Sequence, residues 1–262
     1  LIANRGEIAL RIVRACSELG IRSVAVYTEP DRYGLCVKRA DEAYSLGEDP
    51  VAGYLDPHRI LSVALETGCD AIHPGYGFLS ENAQFALLCE QKGVTFIGPK
   101  SSVIQKMGDK TQARDSMRAA GVPITPGSDG NLANVDEAIK VAAEIGYPVM
   151  IKATSGGGGR GIRRCDDEKE LRKQFPREIS EAEKAFGSAE VFMEKCIVNP
   201  RHIEVQVLAD SHGNVIHLYE RDCSIQRRNQ KLIEIAPSPQ ITPQQRETLG
   251  DLAVKAAKAV NY

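Results

Sequence analysis

Apolar residues follow two alternating patterns along the first hundred positions of the chain. Short apolar runs, such as SVAVYT and VTFIGP, alternate with longer segments, such as GEIALRIVRACSELG, in which apolar residues recur at helical spacing. Strands that alternate with helices in this way form parallel sheets with helices on both faces. The pattern therefore predicts a Rossmann-like, doubly wound α/β domain over residues 1–107, with ligand-binding loops at the carboxyl ends of its strands.

The pattern changes after this domain. A connecting helical segment is expected over 108–124, and a second, smaller lobe over 125–197. In that lobe a helix, the strand VMIKA, a run of glycines and the strand GIRRC precede a charged helical region that Pro176 is expected to interrupt. Residues 198–262 begin a further lobe with long strands, an antiparallel hairpin turning at DSHGN and a final helix.

Residue types that cap helices mark where several of these helices begin. Asp56 is a plausible N-cap that is followed by Pro57 at the first helical position. Ser80 is expected to cap the helix in SENAQFALLCEQKG, and Thr242 the final helix.

Composition narrows the function classes. The chain has 262 residues, of which 42% are hydrophobic and 26% charged, and its net charge of −2 lacks the basic excess typical of duplex-binding proteins. Its seven cysteines are an odd number without a C-x-x-C pair, which favours reduced thiols in a cytosol-like compartment. No apolar run approaches the roughly 20 residues of a membrane span. We therefore expect neither a nucleic acid nor a membrane as partner, and we assign no metal-binding residues within the chain.

Four consecutive glycines, Gly156 to Gly159, are the strongest chemical signal. Lys152 precedes them at the end of an apolar strand, and Arg160 follows. Bare backbone between two positive charges suits a phosphate group, which can approach N–H donors that no Cβ shields. The order of residues matches neither the P-loop nor the dinucleotide fingerprint. A flexible hairpin in solvent is the alternative, but glycines there cost roughly 0.5–1 kcal/mol each relative to Ala.

Further motifs carry a resemblance to a known family. IANRGEIALRIVRAC, DAIHPGYGFLSEN, MGDK, GYPVMIKATSGGGGRGI, NPRHIEVQVLAD and ERDCSIQRRNQK occur in the order found in biotin carboxylases, the ATP-grasp subunits or domains of biotin-dependent carboxylases. The resemblance covers essentially the whole chain and implies an ATP-grasp fold, here incomplete, after the Rossmann-like domain. LIEIAPS, with Ile235 where the acetyl-CoA branch usually has a second acid, resembles the pyruvate or 2-oxoglutarate carboxylase type.

The resemblance implies a reaction and a set of site residues. MgATP and bicarbonate would give carboxyphosphate, and CO₂ would pass to N1′ of biotin on a carrier protein. The catalytic residues would be Lys152, Gln226 and Lys231, the last two near bicarbonate and the reacting phosphate. The residues that would bind nucleotide are Lys110 and Lys152 at the phosphates, the flap of Gly156, Gly157, Gly158, Gly159, Arg160 and Gly161, the adenine hinge of Glu194, Lys195 and Ile197, and His202, Gln226 and Asn229. Asn229 stands where the family often has His, so only a polar contact is expected from it.

The resemblance also implies partners and missing parts. A biotin carboxyl carrier domain, a carboxyltransferase subunit or domain and a second copy of the chain in a homodimer would be the partners. The location would be the cytoplasm, or the mitochondrial matrix in a eukaryote. The magnesium-binding acids, a catalytic glutamate and a bicarbonate-binding arginine of the family would lie beyond Tyr262. We therefore expect a fragment that holds nucleotide weakly without turning it over.

Two other readings remain open. In the first, the chain is part of another ATP-grasp ligase, such as a carbamoyl-phosphate or purine-pathway enzyme. In the second, it is a nucleotide-binding module without catalysis. Biotin-stimulated ATP turnover separates both from a biotin carboxylase.

Overall fold

The structure, a computed structural model, describes residues 1–154, 161–228 and 230–262, apart from the side chain of Phe186. It divides into two units, Leu1–Gly108 and Asp109–Tyr262. Its helices are α1 (Gly6–Glu18), α2 (Leu35–Arg39), α3 (Pro57–Glu66), α4 (Ala83–Gln91), α5 (Ser101–Gly108), α6 (Lys110–Ala119), α7 (Val135–Ile145), α8 (Glu168–Phe186) and α9 (Pro243–Ala259). Its strands are β1 (Val24–Tyr27), β2 (Glu42–Ser45), β3 (Ala71–Ile72), β4 (Thr95–Phe96), β5 (Val149–Ala153), β6 (Ile162–Cys165), β7 (Val191–Lys195), β8 (Ile203–Ala209), β9 (Val215–Arg227) and β10 (Gln230–Ile235).

Parallel strand pairs organise the first unit. β1 pairs with β2 and β3 with β4, both in parallel. Ile2 joins the two pairs, because it forms parallel bridges with both Ala25 and His73. The resulting order is β2, β1, the segment at Ile2, β3 and β4. The prediction of a parallel α/β sheet is thus confirmed, although β4 is shorter than the apolar run VTFIGP suggests.

Helices cover both faces of this sheet. Ile2 packs with Ala9, Ile12 and Val13 of α1, whereas Leu1 and Ala3 belong to a separate core cluster with α3 and α4. Successive residues of an extended segment point to opposite faces, so the two clusters lie on opposite sides of the sheet. This is the doubly wound arrangement that the sequence predicts.

Two of the three predicted helix caps are confirmed, and one is wrong. The Asp56 carboxylate accepts a hydrogen bond from the Arg59 N–H, and Thr242 forms a capping box with Gln245. At α4 the cap is Asn82 rather than Ser80, because the Asn82 side chain accepts from the Phe85 N–H at 2.9 Å. Ser80 lies in a turn instead.

The first sheet of the second unit is antiparallel, in the order β6, β5, β7. Val149, Ile151 and Ala153 of β5 alternate with outward residues and enter one core with α7 and α8. The outward face of β5 carries Met150 and Lys152. This alternation is what presents Lys152 on the face opposite the core.

The expected interruption at Pro176 is wrong, because α8 is continuous from Glu168 to Phe186 with Pro176 inside it. Proline lacks the N–H that would bond to the carbonyl four residues earlier, which weakens a helix locally. Pro176 itself is exposed, while Leu171, Phe175 and Ala182 are buried in the core. Packing of this apolar stripe keeps the helix intact despite the lost hydrogen bond.

A second antiparallel sheet, in the order β8, β9, β10, completes the described fold. The predicted hairpin joins β8 to β9, with Ala209 opposite Val215 across the turn. Helix α9 packs against β9 so closely that a Cβ at Gly250 would lie 2.5 Å from the His217 ring. His217 is therefore a packing residue.

Across the described parts of the chain, no helix is both long enough and apolar enough to cross a membrane.

Candidate functional site

Four charged residues of the second unit form one cluster, which we call the Glu194 cluster: Lys110, Arg114, Lys152 and Glu194. Lys152 of β5 stands opposite Phe192 of β7, and Glu194 lies two residues further along the same strand. Residues two apart on a strand share a face, so Lys152 and Glu194 both lie on the outward face of the sheet.

Helix α6 supplies the other two members. Lys110 and Arg114 are four residues apart, which places them on the same side of the helix. Asp109 fixes the start of α6, because its carboxylate accepts hydrogen bonds from the Thr111 and Gln112 N–H groups. The cap and the helical spacing together set both cations toward the sheet.

Two cations share the Glu194 carboxylate. Arg114 pairs with Oε1 through Nη1, and Lys152 pairs with Oε2. The Arg114 and Glu194 side chains are each only 14% exposed, and Lys152 is 28% exposed. The other guanidinium nitrogen of Arg114 donates to the Thr125 carbonyl oxygen at 3.0 Å. The Arg114 guanidinium is thus held at two points, whereas the Lys152 side chain is the more exposed of the two cations on Glu194.

Lys110 adds a third positive charge at the end of β5. Its Nζ donates to the Ala153 carbonyl oxygen at 3.4 Å. Burial lowers the pKa of Lys110, the nearby charge of Lys152 lowers it further, and Glu194 acts in the opposite direction. Three cations face one carboxylate, so the cluster has a net positive charge and favours an anion.

Lys195 and Ile197 follow Glu194 but do not join the cluster through their side chains. Lys195 points to the opposite face, where its Nζ donates to the Gly146 and Tyr147 carbonyls, each at 2.9 Å. It thereby caps the C-terminus of α7. Glu194 and Lys195 do not pair with each other. Ile197 is exposed just beyond β7, so this hinge segment offers backbone groups and apolar surface.

A second group of predicted site residues meets on the sheet of β8, β9 and β10, around Glu204. We call it the Glu204 cluster: His202, Glu204, Arg221, Gln226 and Lys231. Lys231 pairs with Oε1 of Glu204, to which the His202 Nε2 lies at 3.0 Å, and Arg221 Nη2 lies 3.3 Å from Oε2. Gln226 Nε2 is 2.7 Å from His202 Nδ1. A His202 tautomer with its proton on Nε2 satisfies both contacts.

Charge pairing shifts two pKa values in this cluster. Burial alone raises the pKa of Glu204, but the hydrogen bond and charge of Lys231, together with Arg221 and His202, lower it overall. The hydrogen bond that Lys231 donates to Glu204 in turn raises the pKa of Lys231. Both groups are therefore ionised near neutral pH, and Lys231 stays a cation.

The structure brings together some predicted residues and adds others. Lys110, Lys152 and Glu194 meet in one cluster, and His202, Gln226 and Lys231 in the other. Sequence reasoning missed Arg114, Glu204 and Arg221. The spacing from Lys110 to Arg114 on one helix, and from His202 to Glu204 on one strand, was the signal available for Arg114 and Glu204.

The glycine flap is described only at its last residue. Gly161 has a φ of +67°, a conformation that suits glycine, and its carbonyl accepts from the Ala153 N–H at 2.8 Å. The predicted residues Gly156, Gly157, Gly158, Gly159, Arg160 and Asn229 lie outside the described residues.

The Glu194 cluster fits a polyphosphate. Lysine ammonium groups are mobile point charges, and a fixed arginine beside them keeps the local potential positive. Within residues 1–154, 161–228 and 230–262, no three or more His, Cys, Asp or Glu side chains are grouped so as to hold a metal ion.

Family comparisons agree with this geometry. Residues 1–104 match the family model for the biotin carboxylase N-terminal domain. Residues 109–262 match the model for the ATP-binding domain of the carbamoyl-phosphate synthase L chain. The chain belongs to the biotin carboxylase family.

Curated relatives of this chain are similar to it along its whole length. It is 60% identical to the 2-oxoglutarate carboxylase small subunit of Hydrogenobacter thermophilus, over 100% of this chain and 56% of the relative. It is 59% identical to biotin carboxylase 1 of Bacillus subtilis, over 100% of this chain and 58% of the relative. The chain thus spans less than two thirds of the length of these curated relatives.

A solved structure shares the fold. The biotin carboxylase domain dimer of the H. thermophilus 2-oxoglutarate carboxylase, in complex with MgADP, ADP and bicarbonate, has a TM-score of 0.91 and 59% identity, covering 100% of this chain and 58% of that one. The ATP-grasp fold expected after the Rossmann-like domain is thereby confirmed.

Proposed function

We propose that this chain takes part in the ATP- and bicarbonate-dependent carboxylation of biotin on a carrier protein, through carboxyphosphate. The observation that carries the proposal is the Glu194 cluster, in which Arg114 and Lys152 pair with one carboxylate and Lys110 adds a third positive charge at the end of β5. Phosphoryl transfer between anions is catalysed mostly by positioning and by neutralising charge. MgATP would supply the phosphoryl group.

The Glu194 cluster and the segments beside it bind the nucleotide in this proposal. Lys110 and Lys152 bind the phosphates of ATP together with the segment from Gly156 to Gly161. The hinge at Glu194, Lys195 and Ile197 receives the adenine edge through its backbone, because the Lys195 side chain is engaged on the opposite face.

The Glu204 cluster serves bicarbonate and the reacting phosphate. Lys231 provides a permanent positive charge, since its pairing with Glu204 raises its pKa. His202 and Gln226 hold each other in place, and Asn229 adds a polar contact. We assign no magnesium-binding residue to the described part of the chain.

The proposal extends to the partners. The reaction needs a biotin carboxyl carrier domain and a carboxyltransferase, and we propose a homodimer. The name of the H. thermophilus relative and Ile235 both favour a 2-oxo acid as final acceptor. Seven free cysteines support a reducing compartment, which we propose to be the cytoplasm, or the mitochondrial matrix in a eukaryote.

The deciding experiment is ATP hydrolysis by the complete gene product, with bicarbonate and with or without free biotin. We expect phosphate release that requires bicarbonate, rises with biotin and collapses in Lys152→Ala. Lys173→Ala is the matched control, because Lys173 is an exposed lysine of α8.

The two other readings predict different results. Turnover that ignores biotin would indicate another ATP-grasp ligase. Nucleotide binding without any turnover would indicate a non-catalytic module.

A further inference from the structure

Arg114 shares the Glu194 carboxylate with Lys152 and is the less exposed of the two side chains. Its guanidinium is held at one end by Glu194 and at the other by the Thr125 carbonyl oxygen. The side chain is 14% exposed, half the value for Lys152. Such a doubly anchored arginine is poorly placed to move toward a ligand, and well placed to hold Glu194.

The backbone at Gly127 leaves room for the Arg114 guanidinium. Gly127 pairs with Glu194 in an antiparallel bridge. A Cβ at Gly127 would lie 3.0 Å from Arg114 Nη2 and 2.3 Å from the Met193 carbonyl oxygen. The absence of a side chain at position 127 therefore allows the guanidinium to reach β7.

An incoming anion competes with Glu194 for the Lys152 ammonium group, and a full exchange breaks the pair between Lys152 and Glu194. If Lys152 were the sole cation on Glu194, its departure would leave a largely buried carboxylate unpaired, and that carboxylate would also repel the incoming anion. Arg114 removes both penalties, since it stays on Oε1 when Lys152 leaves Oε2.

We propose that Arg114 is a positioning residue, which keeps Glu194 neutralised so that Lys152 can exchange this carboxylate for the phosphates of a nucleotide. The inference rests on the proposed function, because the anion is taken to be a nucleoside polyphosphate. It assigns Arg114 no contact with the ligand. Its effect acts through Lys152 and should therefore depend on the charge of the ligand.

The test is calorimetric binding of ATP, ADP and adenosine, without added metal, to the complete gene product and its variants. Arg114→Met should weaken ATP and ADP by about tenfold or more, because Lys152 is then retained by an otherwise unpaired carboxylate. The affinity for adenosine should stay nearly unchanged, because adenosine has no phosphate for Lys152 to bind. Arg114→Lys keeps the charge and should recover part of the loss.

A double variant separates this role from simple damage to the fold. Arg114→Met with Glu194→Gln removes the carboxylate that retains Lys152, so ATP binding should return to within a few-fold of the unaltered chain. Arg118→Met is the control, because Arg118 lies one turn further along α6 and its pairs with Asp115 and Asp129 are exposed.

The outcomes distinguish the two proposals. An unaltered chain that binds adenosine and ATP equally, or neither, would overturn the proposed nucleotide function. An unaltered chain that prefers ATP, with Arg114→Met equal to it, would overturn the role of Arg114 alone. Equal losses for adenosine and ATP in Arg114→Met, with no recovery in the double variant, would assign Arg114 a purely structural role and overturn the inference too.

Discussion

Arg163 and Glu178 form a buried ion pair that ties β6 to α8. The Arg163 Nε lies 2.9 Å from Glu178 Oε2, and the Glu178 side chain is 1% exposed. Arg163 also pairs with Glu181 at the surface. β6 is the edge strand of its sheet and follows Gly161, so this pair holds in place the strand into which the glycine run leads.

Removing Arg163 should destabilise the fold strongly. Arg163→Met leaves Glu178 buried without its cation, which costs about 3–5 kcal/mol of unfolding free energy. Urea denaturation measures the loss. Arg164→Met is the matched control, because Arg164 is exposed and pairs only with the exposed Asp166 among the described residues; its cost should stay within about 0.5 kcal/mol.

The cost of losing Arg163 should also depend on pH. Burial raises the pKa of Glu178 above its ordinary value of 4.5, and Arg163 counteracts this. A carboxyl group whose pKa is raised in the folded state stabilises the fold while it is protonated. This contribution to the unfolding free energy is lost as pH rises from the ordinary value of 4.5 through the folded-state pKa. In Arg163→Met the pKa of Glu178 in the folded state rises further. The loss of unfolding free energy relative to the unaltered protein should therefore grow between pH 5 and 8. A deficit of equal size at both pH values would contradict a charge effect.

Pro176→Ala should stabilise the protein. Pro176 is exposed within α8, and alanine would restore the missing N–H donor to the helix ladder. We expect a gain of about 1–2 kcal/mol, reduced from the full helix-interior penalty because α8 is already formed around the proline. Arg177→Ala, at the exposed neighbouring position, serves as the control in the same thermal unfolding measurement. A loss of stability in Pro176→Ala would show that the ring makes contacts that outweigh the hydrogen bond.

Gly127→Ala should weaken ATP binding as well as stability. The new methyl group would come within 2.3 Å of the Met193 carbonyl oxygen and displace Arg114. We expect a destabilisation of about 1–3 kcal/mol from the clash, with reduced ATP affinity measured by calorimetry. Gly108→Ala is the control, because a Cβ there meets nothing within 4 Å. Unchanged affinity in Gly127→Ala would mean that Arg114 tolerates the displacement.

Lys231→Met should raise the pKa of Glu204, since Lys231 is the main partner that lowers it. A carboxyl with a depressed folded-state pKa stabilises the fold above its unfolded pKa, and this contribution disappears as pH falls through the folded value. Lys231→Met should therefore cost more stability at pH 7 than at pH 3. NMR titration of the side-chain carboxyl carbons measures the shift directly, and Lys173→Met should leave it unchanged.

Local signals explain which elements sequence reasoning predicted well. Asp56 and Thr242 cap their helices as expected, because an N-cap depends on a few consecutive residues. Ser80 and Asn82 are both good caps two positions apart, and only the turn before α4 selects Asn82. Pro176 shows the opposite case, in which packing of a long apolar stripe overrides a local helix breaker.

The sequence by itself determined the order of strands and helices and the chemical character of the lysines and glycines, because these follow from hydrophobic period and residue type. Tertiary structure decided which charges meet. Arg114 and Glu194 are 80 residues apart in the chain, yet the Arg114 guanidinium pairs with the Glu194 carboxylate. Such pairing depends on strand register and helix packing, which bring distant segments together and which no local pattern encodes.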